Sequence, residues 1–183
     1  TLGGLNEGHA TTGDLDIRDD VTISGAGAAD TIIDAAGLDR VFHVFGDSSL
    51  TINGVTMTGG LAPGGSNGGG ILNGNGALTI QESSLIANTS TSYGGAIYSA
   101  GDVVFLDSTM SENTAFLAGG LFCTGQKVEI ESSVIEANAD SATGIGIGGL
   151  WIASVSDEAT FSIRQSVVRD NRGSGVKIGT NDM

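Results

Sequence analysis

The sequence predicts an all-β fold, a single-stranded parallel β-helix of about six or seven coils. The first observation is a recurring phrase of two glycines, a spacer and a large apolar residue, whose copies begin at Gly68, Gly94, Gly119 and Gly148. The second is an apolar residue, two spacers and an asparagine after each copy, ending at Asn88, Asn113, Asn138 and Asn171. The glycine pairs are 26, 25 and 29 residues apart. A repeat of this length, made of short strands, predicts coils that stack along one axis.

Short segments that alternate apolar and polar residues lie between the two phrases. Strand side chains point to opposite faces with a period of two, so the alternation is typical of β-strands, and no convincing helical period accompanies it. We expect each repeat to form one coil of three short strands. Residues 1–12 then form a lead-in from a truncated or processed end, and residues 13–183 form the rod. The alternating segments are 21–23, 50–52, 78–80, 103–105, 128–130 and 161–163.

The apolar residue that closes each glycine phrase predicts which side chains face the interior. This row is uniformly apolar and is therefore expected inside: Ile71, Ile97, Phe122, Trp151 and Val176. The row that follows it is mixed and includes a lysine, whose unpaired burial would be costly, so it is expected outside. Its members are Leu72, Tyr98, Cys123, Ile152 and Lys177. By the same logic Phe42 and Val44 point inward and His43 points outward.

The asparagine row predicts an internal ladder. Asparagine tolerates the left-handed conformation of tight turns, and its amide can hydrogen-bond backbone groups of the next coil. The ladder consists of Asn88, Asn113, Asn138 and Asn171. The alternative interpretation of the same row is a polar binding stripe.

Composition and charge exclude several classes of partner. The net charge is −14, from 21 acidic and 7 basic residues, which would repel nucleic acid and anionic membrane surfaces. Cys123 is the only cysteine, so no intrachain disulfide is possible, and a lone thiol is usually buried. Neither His9 nor His43 has a neighbour at a metal-ligand spacing. No stretch of the sequence has the length and apolar character of a transmembrane helix.

From Gly13 onward the sequence resembles a known group of bacterial proteins. The glycine and asparagine phrases are similar to the repeat of polymorphic outer-membrane proteins. The segments 13–17, 21–27, 31–34 and 38–44 resemble CSLREA-domain proteins, which are secreted or surface proteins with right-handed parallel β-helix repeats. The resemblance implies right-handed coiling and an extracytoplasmic location, and it supplies no catalytic residues. The Cys-Ser-Leu-Arg-Glu-Ala segment that names the group does not occur, so we expect a fragment or a chain without its natural N-terminus.

Carboxylates are the groups with which a parallel β-helix would act on a polysaccharide. Asp14 and Asp16 alternate with apolar residues, and calcium is the one ion that these oxygen ligands would suit; no other cofactor is expected. Glu129 and Glu131 lie on the outer side of one predicted strand, where a hydrolytic site would need a second acidic group on a neighbouring coil. The alternative for both pairs is a solvated surface without a ligand.

Apolar residues interrupt the polar pattern on the outer side of the predicted rod. Val104 and Leu106 break the alternation of their strand. The connecting loops also carry apolar groups at comparable repeat positions: Leu61, Tyr93, Phe116, Leu117, Ile145 and Ile147. Because loops are normally polar, a line of apolar side chains predicts a patch that binds a protein partner. The alternative is that these side chains fold back over the coils.

The ends of the predicted rod are a second place where a partner is expected. An open β-helix presents unpaired strand edges unless a capping element covers them. Residues 175–183 start another coil, and no amphipathic cap follows them. We therefore expect the remainder of the chain or another subunit to cover that end.

Two classes of function remain after these exclusions. The first is a noncatalytic, extracytoplasmic β-helical scaffold or adhesion module that binds other protein chains or forms part of a surface assembly. The second is a carbohydrate-active β-helix, either a lyase or hydrolase or a glycan-binding rod, whose partner would be a polysaccharide.

Overall fold

The computed structural model describes residues 13–142, 146–153 and 158–179, and every regular element in these ranges is a β-strand. The strands are two to six residues long, and all of their ladder pairings are parallel. No helix in these ranges is long and apolar enough to cross a membrane. The predicted lead-in, residues 1–12, lies outside the described residues.

The strands form three long sheets and one short one. Sheet A contains, in stacking order, β1 (Leu15–Ile17), β4 (Phe42–Val44), β7 (Ile71–Asn73), β10 (Ile97–Ser99), β14 (Leu121–Cys123), β18 (Ile147–Ile152) and β21 (Ser174–Ile178). Sheet B contains β2 (Val21–Ser24), β5 (Leu50–Asn53), β8 (Leu78–Gln81), β11 (Val103–Leu106), β15 (Lys127–Glu131) and β19 (Thr160–Arg164). Sheet C contains β3 (Ile32–Asp34), β6 (Thr56–Thr58), β9 (Ser84–Ile86), β12 (Thr109–Ser111), β16 (Val134–Glu136) and β20 (Val167–Arg169). Sheet D pairs β13 (Thr114–Ala115) with β17 (Ala139–Asp140).

The order of the strands along the chain makes the fold a solenoid. Apart from β13 and β17 of sheet D, successive strands belong to sheets A, B and C in turn, and the next strand then returns to sheet A beside the first. Sheet A has seven strands and sheets B and C have six each, which gives six full coils and the first strand of a seventh. The prediction of a parallel β-helix of about six or seven coils is confirmed.

The interior row of sheet A differs from the prediction by one residue in two of its coils. Ile97 pairs with Ile71 and with Leu121, and Leu150 pairs with Leu121 and with Val176. Leu121 and Leu150 therefore occupy the interior positions that were predicted for Phe122 and Trp151. Cys123 and Ile152, which were predicted outside, are buried in the main core, whereas Leu72, Tyr98 and Lys177 share the outer row with Phe122 and Trp151.

The error has a cause in the backbone of the turn before sheet A. Gly68 and Gly94 have left-handed φ angles of 67° and 68°, and Ala118 takes the same conformation with φ of 57°. Gly119 therefore matches the second glycine of the earlier phrases rather than the first. A shift of one residue in a strand moves every side chain to the opposite face.

Phe122 and Trp151 are buried although they lie on the outer face of sheet A. Loop residues cover them, and together they form a second hydrophobic cluster with Leu117, Ala118, Ile147 and Ala153. The ring of Tyr98 stacks on Phe122 with centroids 5.5 Å apart, and Trp151 meets Phe122 edge-on at 5.3 Å. We call Tyr93, Tyr98, Phe122 and Trp151 the outer aromatic cluster.

Two polar ladders line the turns. The amides of Asn88, Asn113, Asn138 and Asn171 are linked in series by side-chain hydrogen bonds of 2.9 to 3.0 Å. Each of the first three also donates its backbone N–H to the Oδ1 atom of the next asparagine. A second ladder, which the sequence analysis missed, consists of Ser83, Ser108, Ser133 and Ser166, each hydroxyl accepting a backbone N–H from the preceding coil. Its signal in the sequence was the recurrence of serine at the same spacing as asparagine.

Candidate functional site

The apolar loop residues divide into covered and exposed groups. Leu117 and Ile147 are fully buried against the outer aromatic cluster, and the ring of Tyr93 lies 4.7 Å from that of Phe122. Leu61 and Phe116 remain 40% and 46% exposed. The structure therefore brings the first three together in a packed cluster and leaves the last two on the surface. Ile145 lies outside the described residues.

Bridges between loops place Leu61 two coils before Phe116 in the stack of loops. Leu61 makes a parallel bridge with Thr89, and Thr89 makes one with Thr114 in β13. Phe116 follows β13 directly, on the coil whose strand pairs with β17. We call Leu61 and Phe116 the loop edge.

Val104 and Leu106 lie on the outer face of β11, as the broken alternation predicts. Val104 pairs with Thr79 on one side and Glu129 on the other, and both it and Leu106 are half-buried. They interrupt the polar outer face of sheet B rather than extend the loop edge, whose residues lie in the loops before strands β7 and β14 of sheet A.

The first coil contains a buried ionic network. Arg40 Nη1 lies 2.8 Å from Asp14 Oδ2, and neither side chain is more than 1% exposed. Asp16, beside them on β1, interacts with Arg18 at 3.4 Å. Arg40 and Asp14 are 26 residues apart, which is one coil, so the stacking of coils brings them together.

Several polar atoms of this network have no hydrogen-bond partner among the described residues. They are Asp14 Oδ1, Asp16 Oδ1, Arg40 Nε and Arg40 Nη2. Burial raises the pKa of Asp14 although the hydrogen bond from Arg40 lowers it. Burial, and then the charge of Arg40, lower the pKa of His43 to about 4, so its imidazole is neutral at pH 7. The network is therefore a tightly packed ion pair beside a neutral histidine.

The same residues offer ligand atoms to a metal ion. Donor atoms of Asp14, Asp16 and His43 lie within 4.8 Å of one another. Calcium takes six to eight oxygen ligands, whereas a set with one imidazole is typical of zinc and similar ions. Both carboxylates already interact with arginines, and the positive charge of these arginines repels a bound cation. The geometry fits an internal ionic network better than a calcium site.

Glu129 and Glu131 lie on the outer face of β15, and Glu129 lines a shallow pocket. The pocket has a volume of about 300 Å³ and is lined by Lys127, Val128, Glu129, Thr160, Phe161, Ser162 and Arg164. The hydrogen bond from Lys127, 2.9 Å away, lowers the pKa of Glu129, which favours the ionised form. Val104 and Ser162 are the strand neighbours of Glu129, and Leu106 and Arg164 are those of Glu131, so no carboxylate of an adjacent strand stacks on either.

These four predicted carboxylates are not brought together. Asp14 and Asp16 lie at the first coil of sheet A, and Glu129 and Glu131 lie on the fifth strand of sheet B. A glycosidase needs two carboxyl groups that face one bond of the substrate. The acidic pairs therefore belong to two separate environments, one in the ionic network of the first coil and one half-buried on the outer face of sheet B.

Cys123 is unsuited to nucleophilic chemistry. It is buried in the main core, where Gly125 N–H donates to its sulfur at 3.3 Å. Burial raises the pKa of the thiol to about 11, so the thiolate is scarcely populated at pH 7.

Comparison with known proteins agrees with the architecture. A family model described as the right-handed beta helix region matches residues 37–183. No curated protein and no solved structure matches the chain. The match covers most of the chain, including every coil from β4 onward. The protein therefore belongs to the right-handed β-helix family, and its coils form a β-helical scaffold.

Proposed function

We propose that the protein is a noncatalytic, extracytoplasmic scaffold or adhesion module that contacts a protein partner through the loop edge. The observation that carries the proposal is the exposure of Leu61 and Phe116, two coils apart in one stack of loops that otherwise buries its apolar groups. Exposed apolar groups beside polar surroundings are typical of protein-binding sites. The extracytoplasmic location rests on the resemblance to secreted and surface proteins of bacteria.

The hydrogen bonds and ion pairs of the polar side chains support a noncatalytic role. The asparagine and serine ladders are hydrogen-bonded within the turns. Asp14 is held by Arg40, and Glu129 is held by Lys127. A catalytic acid or base needs a pKa near the working pH and a free path to substrate. A calcium ion at Asp14 and Asp16 stays a prediction from the sequence, tested by metal analysis of the protein before and after treatment with a chelator.

The loop edge predicts a binding defect without a folding defect. We expect the double variant Leu61→Ser/Phe116→Ser to unfold within about 1 kcal/mol of the wild type, because both residues are exposed. Its binding to extracellular-matrix and cell-envelope proteins in a solid-phase panel should fall at least about tenfold, because exposed apolar anchors carry much of such affinity. The measurement is bound protein against concentration, with urea unfolding of each variant alongside.

The neighbouring residue provides the matched control. Leu117→Ser removes a buried side chain and should destabilise the protein by about 3 kcal/mol. Two outcomes would contradict the proposal. In one, the double variant binds as well as the wild type; in the other, the wild type binds no protein of the panel.

Glycan binding is the second candidate function, because the pocket beside Glu129 presents a mixed set of charges and hydroxyls. Lys127, Glu129, Thr160, Ser162 and Arg164 supply donors and acceptors in a volume suited to one or two sugar rings. We expect Glu129→Gln to weaken the best ligand of a glycan array about tenfold, as loss of a charged hydrogen bond would. Glu112→Gln, at an exposed turn away from the pocket, is the control. Equal binding by wild type and Glu129→Gln removes this candidate.

A further inference from the structure

The loops that carry Leu61 and Phe116 form a regular β face in the middle of the rod. Parallel bridges join Leu61 to Thr89 and Thr89 to Thr114, and Thr114 pairs with Ala139 of β17. The residue after each of these four is buried, and the next residue is again exposed or part-exposed. This alternation gives sheet D an outer face of four rungs with two residues each. We call it the sheet D face: Leu61 with Pro63, Thr89 with Thr91, Thr114 with Phe116, and Ala139 with Ser141.

The eight residues of the sheet D face are all uncharged. The chain as a whole has 21 acidic and 7 basic residues and a net charge of −14. Two copies of so acidic a chain repel each other, so a contact between copies needs a surface without acidic groups. The sheet D face meets that condition, and it also contains the exposed apolar side chains of the loop edge.

The backbone of the sheet D face is already hydrogen-bonded between rungs. Ala62 N–H donates to the Thr89 carbonyl and Ser90 N–H to the Thr114 carbonyl, both at 2.9 Å. An extended peptide adds to a sheet only where an edge is unpaired, and the middle rungs pair on both sides. A partner must therefore pack side chains against side chains, as two β faces do at a separation of about 10 Å.

From these observations we infer that two copies of this chain pair through their sheet D faces, with the two rods side by side and antiparallel. This inference rests on the loop-edge proposal above and names a second copy as the partner. The two-fold axis runs along the strands at the rung of Thr89 and Thr91. It exchanges the first rung with the third and leaves Thr91 opposite Thr91 of the second copy. Such a contact is closed and gives a dimer.

The apolar residues of the face fit this arrangement. Phe116 on the third rung lies over Pro63 on the first rung of the second copy, beside Leu61, and the same contact occurs twice in the dimer. Three shared rungs cover only about 15 Å by 10 Å, well below the roughly 800 Å² per partner of a stable complex. We therefore expect a weak dimer with a Kd between about 10 μM and 1 mM.

The acidic residue nearest to the third rung also fits an antiparallel pair. Glu112 is exposed at the turn before Asn113. Gly60 and Asn88 occupy equivalent positions, because each donates its N–H to the asparagine Oδ1 of the next coil. Gly59 is therefore the counterpart of Glu112 in the coil of the first rung. Exchange of these two rungs places Glu112 opposite a glycine, so the pairing brings no like charges together there.

Position 91 provides the test, because it meets itself across the two-fold axis. Thr91→Glu and Thr91→Lys each place like charges face to face, whereas an equimolar mixture pairs a carboxylate with an ammonium. Ser141→Glu and Ser141→Lys are the matched controls, since exposed Ser141 lies on the fourth rung, outside the three shared ones. The readout is sedimentation velocity of the full chain from about 1 μM to about 1 mM at about 150 mM salt. Circular dichroism and urea unfolding verify that each variant is folded.

We expect the wild type to form a reversible dimer and no larger species. Each Thr91 variant alone should pair at least about tenfold more weakly, because like charges oppose each other in the contact. The mixture should regain the wild-type Kd, which a misfolded variant could not do, and the Ser141 controls should stay within about twofold of it. Phe116→Ser should also pair at least about tenfold more weakly, because a covered aromatic anchor is lost.

Four results would overturn the inference: a wild type that stays monomeric throughout, a wild type that grows beyond a dimer, Thr91 variants that pair as well as the wild type, or a mixture that does not recover. The protein panel of the loop-edge experiment contains no copy of this chain. A monomeric wild type that binds a panel protein therefore overturns only this inference. A dimer that is disrupted at Thr91 and binds no panel protein supports it and removes only the binding of other proteins.

Discussion

Replacing Asn113 with alanine should lower the free energy of unfolding by about 4 kcal/mol. Its Oδ1 atom accepts hydrogen bonds from the backbone N–H and the side-chain amide of Asn88, at 2.9 and 3.0 Å. Its own amide donates to the Leu85 carbonyl and to Asn138 Oδ1, at 3.0 and 2.9 Å. All of these groups are buried, and each buried group left unpaired costs about 1 to 3 kcal/mol. Urea unfolding followed by circular dichroism measures the loss.

Asn171, at the end of the same ladder, is the matched control for this prediction. Its side chain makes equivalent bonds to Asn138 and to the Ile135 carbonyl but is only part-buried. Water can replace the lost bonds there, so Asn171→Ala should cost about 1 kcal/mol. Equal losses at the two positions would show that the ladder contributes no more than an exposed hydrogen bond.

The repeat made the architecture predictable, because each coil carries the same positions in the same order. The asparagine row was predicted as a ladder from its recurrence and from the hydrogen-bonding chemistry of its amide. The apolar row of sheet B was predicted from alternation, and the row of sheet C contains the apolar residue three positions before each asparagine. The prediction that Phe122 and Trp151 face the interior was wrong, because the residues before them, Leu121 and Leu150, are apolar as well. In the coil of Phe122 the left-handed backbone at Ala118 marks the correct alignment, and alanine gives no sign of it in the sequence.

The candidate site was less predictable from the sequence, because it depends on the same one-residue shift in the alignment of Phe122 and Trp151. Once Phe122 and Trp151 lie on the outer face, Leu117 and Ile147 have an apolar surface to cover, and they are buried. Phe116, one residue away, points from the other side of the loop strand and stays exposed. Neighbouring loop residues of similar hydrophobicity thus have opposite roles, and composition alone does not separate them.

The last prediction concerns Arg40, whose buried pair with Asp14 joins the first two coils. Arg40→Met should lower the free energy of unfolding by about 3 to 5 kcal/mol, because it leaves the Asp14 carboxylate buried without its partner. The double variant Asp14→Leu/Arg40→Met should lose far less, since it removes both charges and fills a similar volume. The unpartnered Arg40 Nε and Nη2 atoms, which the double variant also removes, strengthen that expectation.

The pH dependence of the Arg40→Met defect identifies its cause. Arg40 lowers the pKa of Asp14, which burial raises, so its removal should raise that pKa further. With a folded-state pKa above the unfolded value, Asp14 binds its proton more readily in the folded protein, and stability increases as pH falls through the folded pKa. The deficit of Arg40→Met relative to the double variant should therefore shrink between pH 7 and pH 4 in urea unfolding. A deficit that is constant over this range would assign the difference to the packing of the side chain at position 14 rather than to a buried charge, because packing does not titrate.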